Sequence, residues 1–464
     1  MILETRTTTD LRANSKLPYV LFLGATAALG GMMFGFDLAI IVGAGPFLVL
    51  HYGLSDLGLG WAYSSLLFGC VFGSVIAGRL TDRYGRQRIL LVVAILFLLT
   101  SLATGVAPTF AAFAAARFVG GIAVGGVSVL SPLYVAEISP PRIRGRMGAM
   151  YQMSITIGIL VSYCINYSLR NQGDWNWRWM FISGALPSFI FCLALLRAPE
   201  TPWFLFRIGK EREANALLAR IMTTEEAALE AEKIHATVVP LSSDSVAPHR
   251  TVAVRRILAI SFVLAILVHF SGIDTIIDYA PLVLKSAGLK IDAALFSTFI
   301  IGGINFLFTL VSFWTIDRYG RKPLYIVGSL GMALALLSVI VLLVMGRFDG
   351  VIVLGLMALF IGFFASCIGP VFWTLIPEIF PNEIRGKAMI VPVVTQWIAN
   401  ALVVLLFPIS VNRLGKLPTF GFLAVMAMLQ AIFAWRFVPE TKNKSLGEIE
   451  AFWNKGLEVP SPRA

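Results

Sequence analysis

Apolar runs of about 20 residues recur from Leu17 to near residue 437, each long enough to cross a bilayer core of about 30 Å as a helix. Hydrocarbon offers the backbone no partners, so a chain of such runs must fold as helices that satisfy their own polar groups. Of the 464 residues, 58% are hydrophobic and only 14% are charged, against about 25% charged in an average soluble domain. A soluble globular domain, a disordered tail and a disulfide scaffold are thereby excluded. Twelve spans are expected, near 18–46, 58–79, 88–106, 109–135, 146–168, 178–197, 256–284, 292–315, 323–345, 351–376, 387–409 and 418–437. The first run exceeds the core of a signal peptide, so it is expected to be retained as the first span.

The net charge of +11 is distributed unevenly. Arg6, Arg12 and Lys16 precede the first span. Further basic loops carry Arg79, Arg83, Arg86 and Arg88, then Arg142, Arg144 and Arg146, then Arg318, Arg321 and Lys322, then Arg385 and Lys387. The segments near 47–57 and 107 carry no Lys or Arg. This alternation places both termini in the cytoplasm of a multi-pass cell (plasma or inner) membrane protein, and explains the basic balance without nucleic acid. Cys70, Cys164, Cys192 and Cys367 lie in apolar stretches without CxxC spacing and are expected as buried, reduced thiols. No Walker loop, metal-spaced His/Cys cluster or nucleophile motif occurs, which argues against an enzyme, a metal site and a self-contained ATP-driven pump.

The chain repeats itself. Asp82-Arg-Tyr-Gly-Arg86 returns as Asp317-Arg-Tyr-Gly-Arg321, Glu137-Ile-Ser-Pro-Pro-Arg-Ile-Arg-Gly145 as Glu378-Ile-Phe-Pro-Asn-Glu-Ile-Arg-Gly386, and Pro199-Glu-Thr201 as Pro439-Glu-Thr441, at offsets of 235, 241 and 240. Three pairs in one order define two copies of a six-span unit, and an even number of spans gives both copies one orientation. Parallel repeats of this kind are a transporter architecture with the substrate near the midplane between the halves. The expected organisation is a six-helix bundle over 1–197, a cytoplasmic linker with short surface helices over 198–255, a second bundle over 256–438 and a tail over 439–464. Gly85 and Gly320 suit tight turns between spans. Asp82, Arg86, Glu137, Arg144 and Glu200, with Asp317, Arg321, Glu378, Arg385 and Glu440, form a candidate cytoplasmic gate that latches the halves together on the inside and releases them when the cavity opens inward.

Through Gly78-Arg-Leu-Thr-Asp-Arg-Tyr-Gly-Arg86, Pro199-Glu-Thr-Pro202, Glu378–Gly386 and Val438-Pro-Glu-Thr-Lys442, the chain resembles the major facilitator superfamily, and within it the sugar porter family, over nearly its whole length. The resemblance implies the major facilitator fold: an all-α membrane protein of twelve transmembrane helices as two parallel six-helix repeats, functional as a monomer.

Residues 17–50 contain one charge, Asp37, and residues 89–136 contain one, Arg117. Each would cost at least about 2.5–3.5 kcal/mol exposed at mid-membrane, so each should face the interior, and the simplest arrangement pairs them. A static salt bridge and a titrating acid whose proton competes with the arginine are both open. The resemblance favours the second, since proton-linked sugar porters carry an acid and an arginine at these positions. A proton is then the coupling ion, and no other cofactor is expected.

A sugar needs amide partners for its hydroxyls and flat apolar surfaces for its C–H face. Gln152, Trp373, Gln396-Trp397 and Asn400 supply these chemistries. By resemblance, Gln152, Trp373, Gln396 and Trp397 match sugar-contacting positions, and Asn305 another polar one. Span seven departs from the family pattern. It reads Val268-His-Phe-Ser-Gly-Ile-Asp274-Thr-Ile-Ile-Asp278-Tyr-Ala-Pro281, with His269 for a glutamine, Asp274 for an asparagine and Asp278 for an aromatic. Two carboxylates and an imidazole in an apolar span are costly unless paired. They form either a mutually satisfied cluster or an altered substrate site in which His269 and Asp274 take part. Trp203 stands where the family usually has Arg, which is expected to weaken one gate contact. The expected function is import of a monosaccharide or related polyol by proton symport. An uncoupled facilitator and a symporter of a cationic or amine-bearing solute are the alternatives.

Overall fold

Long helices dominate the computed structural model, which describes residues 2–140, 143–238, 248–380 and 388–442. The first half comprises α1 (Ile2–Tyr52), α2 (Asp56–Tyr84), α3 (Arg86–Gly105), α4 (Phe110–Ile138), α5 (Arg144–Leu169), and α6 (Asn176–Ser183) continued by α7 (Ala185–Arg197). Three short linker helices follow: α8 (Pro202–Arg207), α9 (Glu211–Ile221) and α10 (Thr224–Val238). The second half holds α11 (Pro248–Phe270), α12 (Ile273–Asp278), α13 (Ala280–Ser286), α14 (Ile291–Tyr319), α15 (Arg321–Val344), α16 (Gly350–Phe363), α17 (Gly369–Ile379), α18 (Ile390–Arg413) and α19 (Lys416–Phe437).

Among the described residues, 11 helical segments are long and apolar enough to cross a membrane. The twelfth span is α5, which is less apolar because Ser154, Thr156, Ser162 and Asn166 are buried in the bundle rather than turned to lipid. Lipid-facing surfaces look different. On α15, Val327, Leu330, Leu334, Leu337 and Val341 form an exposed stripe at helical spacing, while Leu324, Tyr325 and Met332 on the other side are buried.

Turns and breaks follow from single residues. Gly85 and Gly320 adopt φ of 96° and 92°, a region that costs side-chain-bearing residues, so one glycine suffices to join α2 to α3 and α14 to α15. Span seven, expected unbroken over 256–284, is interrupted at Gly272 (φ 93°), giving α11, α12 and α13. In span ten a π-helical turn, Phe364–Ile368, precedes Gly369-Pro370; such turns often mark functional sites. The linker helices are less superficial than expected, since Phe204, Leu205 and Phe206 of α8 are buried and Tyr134 donates to the Pro199 carbonyl at 2.8 Å. Cys164 is exposed, against expectation: its position on α5 turns outward, unlike Cys70, Cys192 and Cys367.

Within the first half, α2 and α4 approach through glycines. A Cβ at Gly69 would collide with the Phe118 carbonyl oxygen, and one at Gly121 with that of Leu66. Small residues substitute close van der Waals packing for a hydrophobic driving force that lipid cannot supply.

Candidate functional site

Asp37 and Arg117 meet as the composition of their spans requires. Arg117 Nη1 donates to Asp37 Oδ1 at 2.6 Å, and Nη2 donates to the Asp37 backbone carbonyl at 3.1 Å. The guanidinium lies 5.3 Å from the Phe181 ring centroid, so an aromatic face covers part of the cation. Arg117 is 2% exposed but the Asp37 side chain 13%. The acid is therefore less enclosed than its partner.

Span seven brings its own pair together. His269 Nδ1 lies 2.5 Å from Asp274 Oδ2. The other ring nitrogen, Nε2, is buried without a partner. Asp278, one helical turn on, is half-buried and lies within electrostatic reach of Asp274, Arg117, Tyr63 and Tyr163. Beside it, Tyr279 stacks on Tyr63 of the first half at 4.6 Å between centroids and donates to the Val404 carbonyl at 2.9 Å.

The sugar-site candidates divide by exposure. Gln396, Trp397 and Asn400 on α18 are buried, with Trp397 Nε1 and Asn400 Oδ1 unpartnered. Trp397 makes an edge contact with Phe34 of the first half at 5.8 Å. Gln152 on α5 and Asn305 on α14 are half-buried. Trp373 on α17 is 38% exposed and stands edge-on to Phe372. Unpartnered donors and acceptors this deep in a bundle are polar capacity held in reserve.

On the face that carries the repeated motifs, the two halves build one arrangement twice. Arg86 Nε donates to Glu137 Oε1 at 3.1 Å, Thr201 Oγ1 donates to Glu137 Oε2 at 2.5 Å, and Glu200 accepts from the Arg86 and Gln87 backbone amides at the start of α3. In the second half, Arg321 donates to Glu378 Oε1 at 3.1 Å, Thr441 donates to Glu378 Oε2 at 2.6 Å, and Glu440 accepts from the Arg321 and Lys322 amides opening α15. A carboxylate at a helix N-terminus meets both its free amides and its dipole. These bonds all run within one half, so none of them joins the halves here; the expected latch belongs to a state closed on this face. Glu200 and Glu440 cap the helices; Asp82 pairs with Arg207 at 3.0 Å and Arg86 at 3.8 Å. The side chains of Arg144, Arg385 and Asp317 lie outside the described residues.

Trp203 makes contacts of its own on this face. Its ring lies 4.5 Å from the Arg86 guanidinium and 5.5 Å from that of Arg207. Thr201 and Thr441 were legible as members of the repeated Pro-Glu-Thr, yet their bond to the glutamate needs the fold. Nothing in the sequence singles out Tyr63.

A family model described as "Sugar (and other) transporter" matches residues 23–453. The chain belongs to the sugar transporter family. It is 35% identical to the D-xylose-proton symporter of Escherichia coli (strain K12), over 94% of this chain and 96% of that one. Identity to the arabinose-proton symporter of Bacillus subtilis (strain 168) is 34%, again over 94% and 96%. Among solved structures, the inward-open conformation of the xylose transporter XylE from Escherichia coli superimposes with a TM-score of 0.82 at 33% identity, covering 94% of this chain and 100% of the other. The chain accordingly has the major facilitator fold of twelve helices in two six-helix repeats, and its family places it among transporters rather than enzymes.

This sugar transporter is closed on the face opposite the motifs. Asn412 donates to Asp56 at 2.5 Å, Arg170 pairs with Asp292 at 3.1 Å, and Tyr63 meets Tyr279, all across the halves and away from the motif face. The glycine contacts agree: a Cβ at Gly60 would strike the Leu405 carbonyl oxygen, and one at Gly302 would press on Tyr163.

Proposed function

We propose that this chain imports a monosaccharide or related polyol together with a proton, by alternating access. One observation carries the coupling: a single acid in an apolar span, Asp37, bonded at 2.6 Å to a buried arginine and less enclosed than it. Protonation of Asp37 releases Arg117 and lowers the charge cost of closing the interior around substrate; loss of the proton on the other side restores the pair. Gln152, His269, Asp274, Asn305, Trp373, Gln396, Trp397 and Asn400 supply the polyol's hydrogen bonds and ring contacts. The basic loops orient the motif face and both termini toward the cytoplasm of the cell membrane. The closed face then looks outward, and the likeness to an inward-open xylose transporter supports that reading. The named proton symporters among the relatives favour coupling over uncoupled diffusion.

The test is sugar uptake into proteoliposomes with and without an imposed pH gradient. Wild type should accumulate sugar only with the gradient. Asp37→Asn, fixed in the neutral state, should exchange sugar but not accumulate it. Accumulation by this variant would remove Asp37 as the coupling acid, and gradient-independent equilibration by wild type would establish a facilitator.

A further inference from the structure

We infer that the face opposite the motifs carries a duplicated clasp, Asp56 with Asn412 and Asp292 with Arg170, whose strength sets how readily the transporter opens outward; this rests on the alternating access proposed above and names groups that hold one of its states. Both contacts join side chains of different halves. Asn412 Nδ2 donates to Asp56 Oδ2 at 2.5 Å, and Arg170 Nε donates to Asp292 Oδ1 at 3.1 Å. Asp56 opens α2 and Asp292 lies in the first turn of α14. Arg170 directly follows α5, and Asn412 lies in the last turn of α18. Each half therefore gives one acid and one donor, and receives the other's.

The exchange follows the internal repeat. Asp56 and Asp292 are 236 positions apart, within one of the 235 between Asp82 and Asp317 at the other ends of the same helices. Arg170 and Asn412 are 242 apart, within one of the 241 that separates the motifs preceding α5 and α18. The two clasps are thus copies of one contact. On the motif face the copied network closes inside each half; here the copied contact closes between the halves. Opening outward must break both clasps, and opening inward leaves them intact. Each acid stands at a helix N-terminus, where free amides and the dipole favour a carboxylate whether or not the clasp is made. Only the bond to the donor is then lost on opening. Arg170 is held by its own helix, since Nη1 donates to the Tyr167 carbonyl and the guanidinium lies 3.8 Å from the Tyr167 ring centroid. Tyr167 in turn meets Phe296 of α14 at 5.6 Å, an apolar contact between the same two helices. Exposed polar contacts are individually weak, which suits a gate that opens in every cycle. The copies differ in charge. Arg170 and Asp292 are 20% and 68% exposed and carry opposite charges, so salt screens their attraction, whereas Asn412 is neutral.

The experiment places spin labels at Val106 and Arg347, exposed on outer loops of the first and second halves, in purified full-length protein on a cysteine-free background. Arg170→Gln and Asn412→Ala should each lower the ratio of outer-closed to outer-open molecules about threefold, the scale of an exposed pair, and together about tenfold. Asp292→Asn should match Arg170→Gln, and combining those two should add nothing further, which a structural loss at either helix end would not reproduce. Raising the ionic strength from about 0.01 to 1 M, which shortens the screening length from about 30 to 3 Å, should move the wild type as Arg170→Gln does and leave that variant where it is. The salt arm reads the wild type itself, so it stands even where a variant does not fold. An unchanged ratio in either single donor variant, an Arg170→Gln shift that repeats in full on Asp292→Asn, or a wild type indifferent to salt overturns the inference and leaves the sugar-transport reading standing. A single distance that neither sugar, salt nor any variant alters overturns alternating access as well.

Discussion

Gly60 on α2 and Leu405 on α18 approach so closely that a Cβ at residue 60 would meet the Leu405 carbonyl oxygen. The contact crosses between the halves, whereas the equally tight contact of Gly121 with the Leu66 carbonyl lies within the first half. The same substitution should therefore act differently at the two sites. Overpacking costs about 1–3 kcal/mol. In Gly60→Ala the seam can relieve that cost by opening, and in Gly121→Ala only by loosening the bundle.

Spin labels at Ser55 and Arg413, on a cysteine-free background, should report this. Gly60→Ala should move the distance distribution toward longer values with little loss of thermal stability. Gly121→Ala should lower the melting temperature with the distribution unchanged. An unchanged distance in Gly60→Ala would mean the seam is not where the halves part.

Trp203 gives a second prediction. Its ring carries Arg86 at 4.5 Å and Arg207 at 5.5 Å. Trp203→Ala should lower stability by about 0.5–2 kcal/mol, the range of cation–π contacts from exposed to desolvated. Trp203→Arg should cost more, because it sets a third guanidinium beside two others. Thermal unfolding of the purified variants decides it, and a Trp203→Arg protein as stable as wild type would refute the stacking role.

How much of this was legible in the sequence depends on the physics involved. Spans, repeats and the Asp37–Arg117 pair followed from lone charges in apolar runs, since lipid leaves such charges few places to go. The direction of the gate bonds did not follow. Arg86, Glu137 and Glu200 are 51 and 63 positions apart in sequence order, and matching motifs say that they form a set without saying whether it closes on itself or on the other half. At Trp203 the loss of a cation was visible in the sequence, whereas the aromatic face it offers to Arg86 needs the turn before α8. Tyr63 was silent, being one aromatic in a helix rich in them.

The duplicated networks are not equal in burial, and that separates their energetics. Side chains of Arg86 and Glu137 are 3% and 12% exposed, against 15% and 30% for Arg321 and Glu378. Removing one partner of a buried pair costs about 3–5 kcal/mol, since the other charge stays desolvated. Water relieves part of that cost where access is greater. Glu137→Gln should therefore lower the melting temperature clearly more than Glu378→Gln. Equal losses would show that burial does not set the cost here.

The last prediction concerns His269 and Asp274. At 2.5 Å they satisfy each other, and either single replacement strands a partner in an apolar span. His269→Gln and Asp274→Asn should each destabilise the protein, while the double variant recovers much of the loss. Directly contacting pairs show coupling of about 0.5–3 kcal/mol in such cycles. Recovery alone would fit a purely structural pair. The functional expectation is separate: the double variant restores amides where the family usually carries them, so hexose binding should be gained or broadened. Titration of wild type and double variant against pentoses and hexoses checks it. A rescued melting temperature with an unchanged sugar profile would confine the pair to holding α11 and α12 together across the Gly272 break, and would leave recognition to Gln152, Gln396 and the neighbouring polar groups of α18.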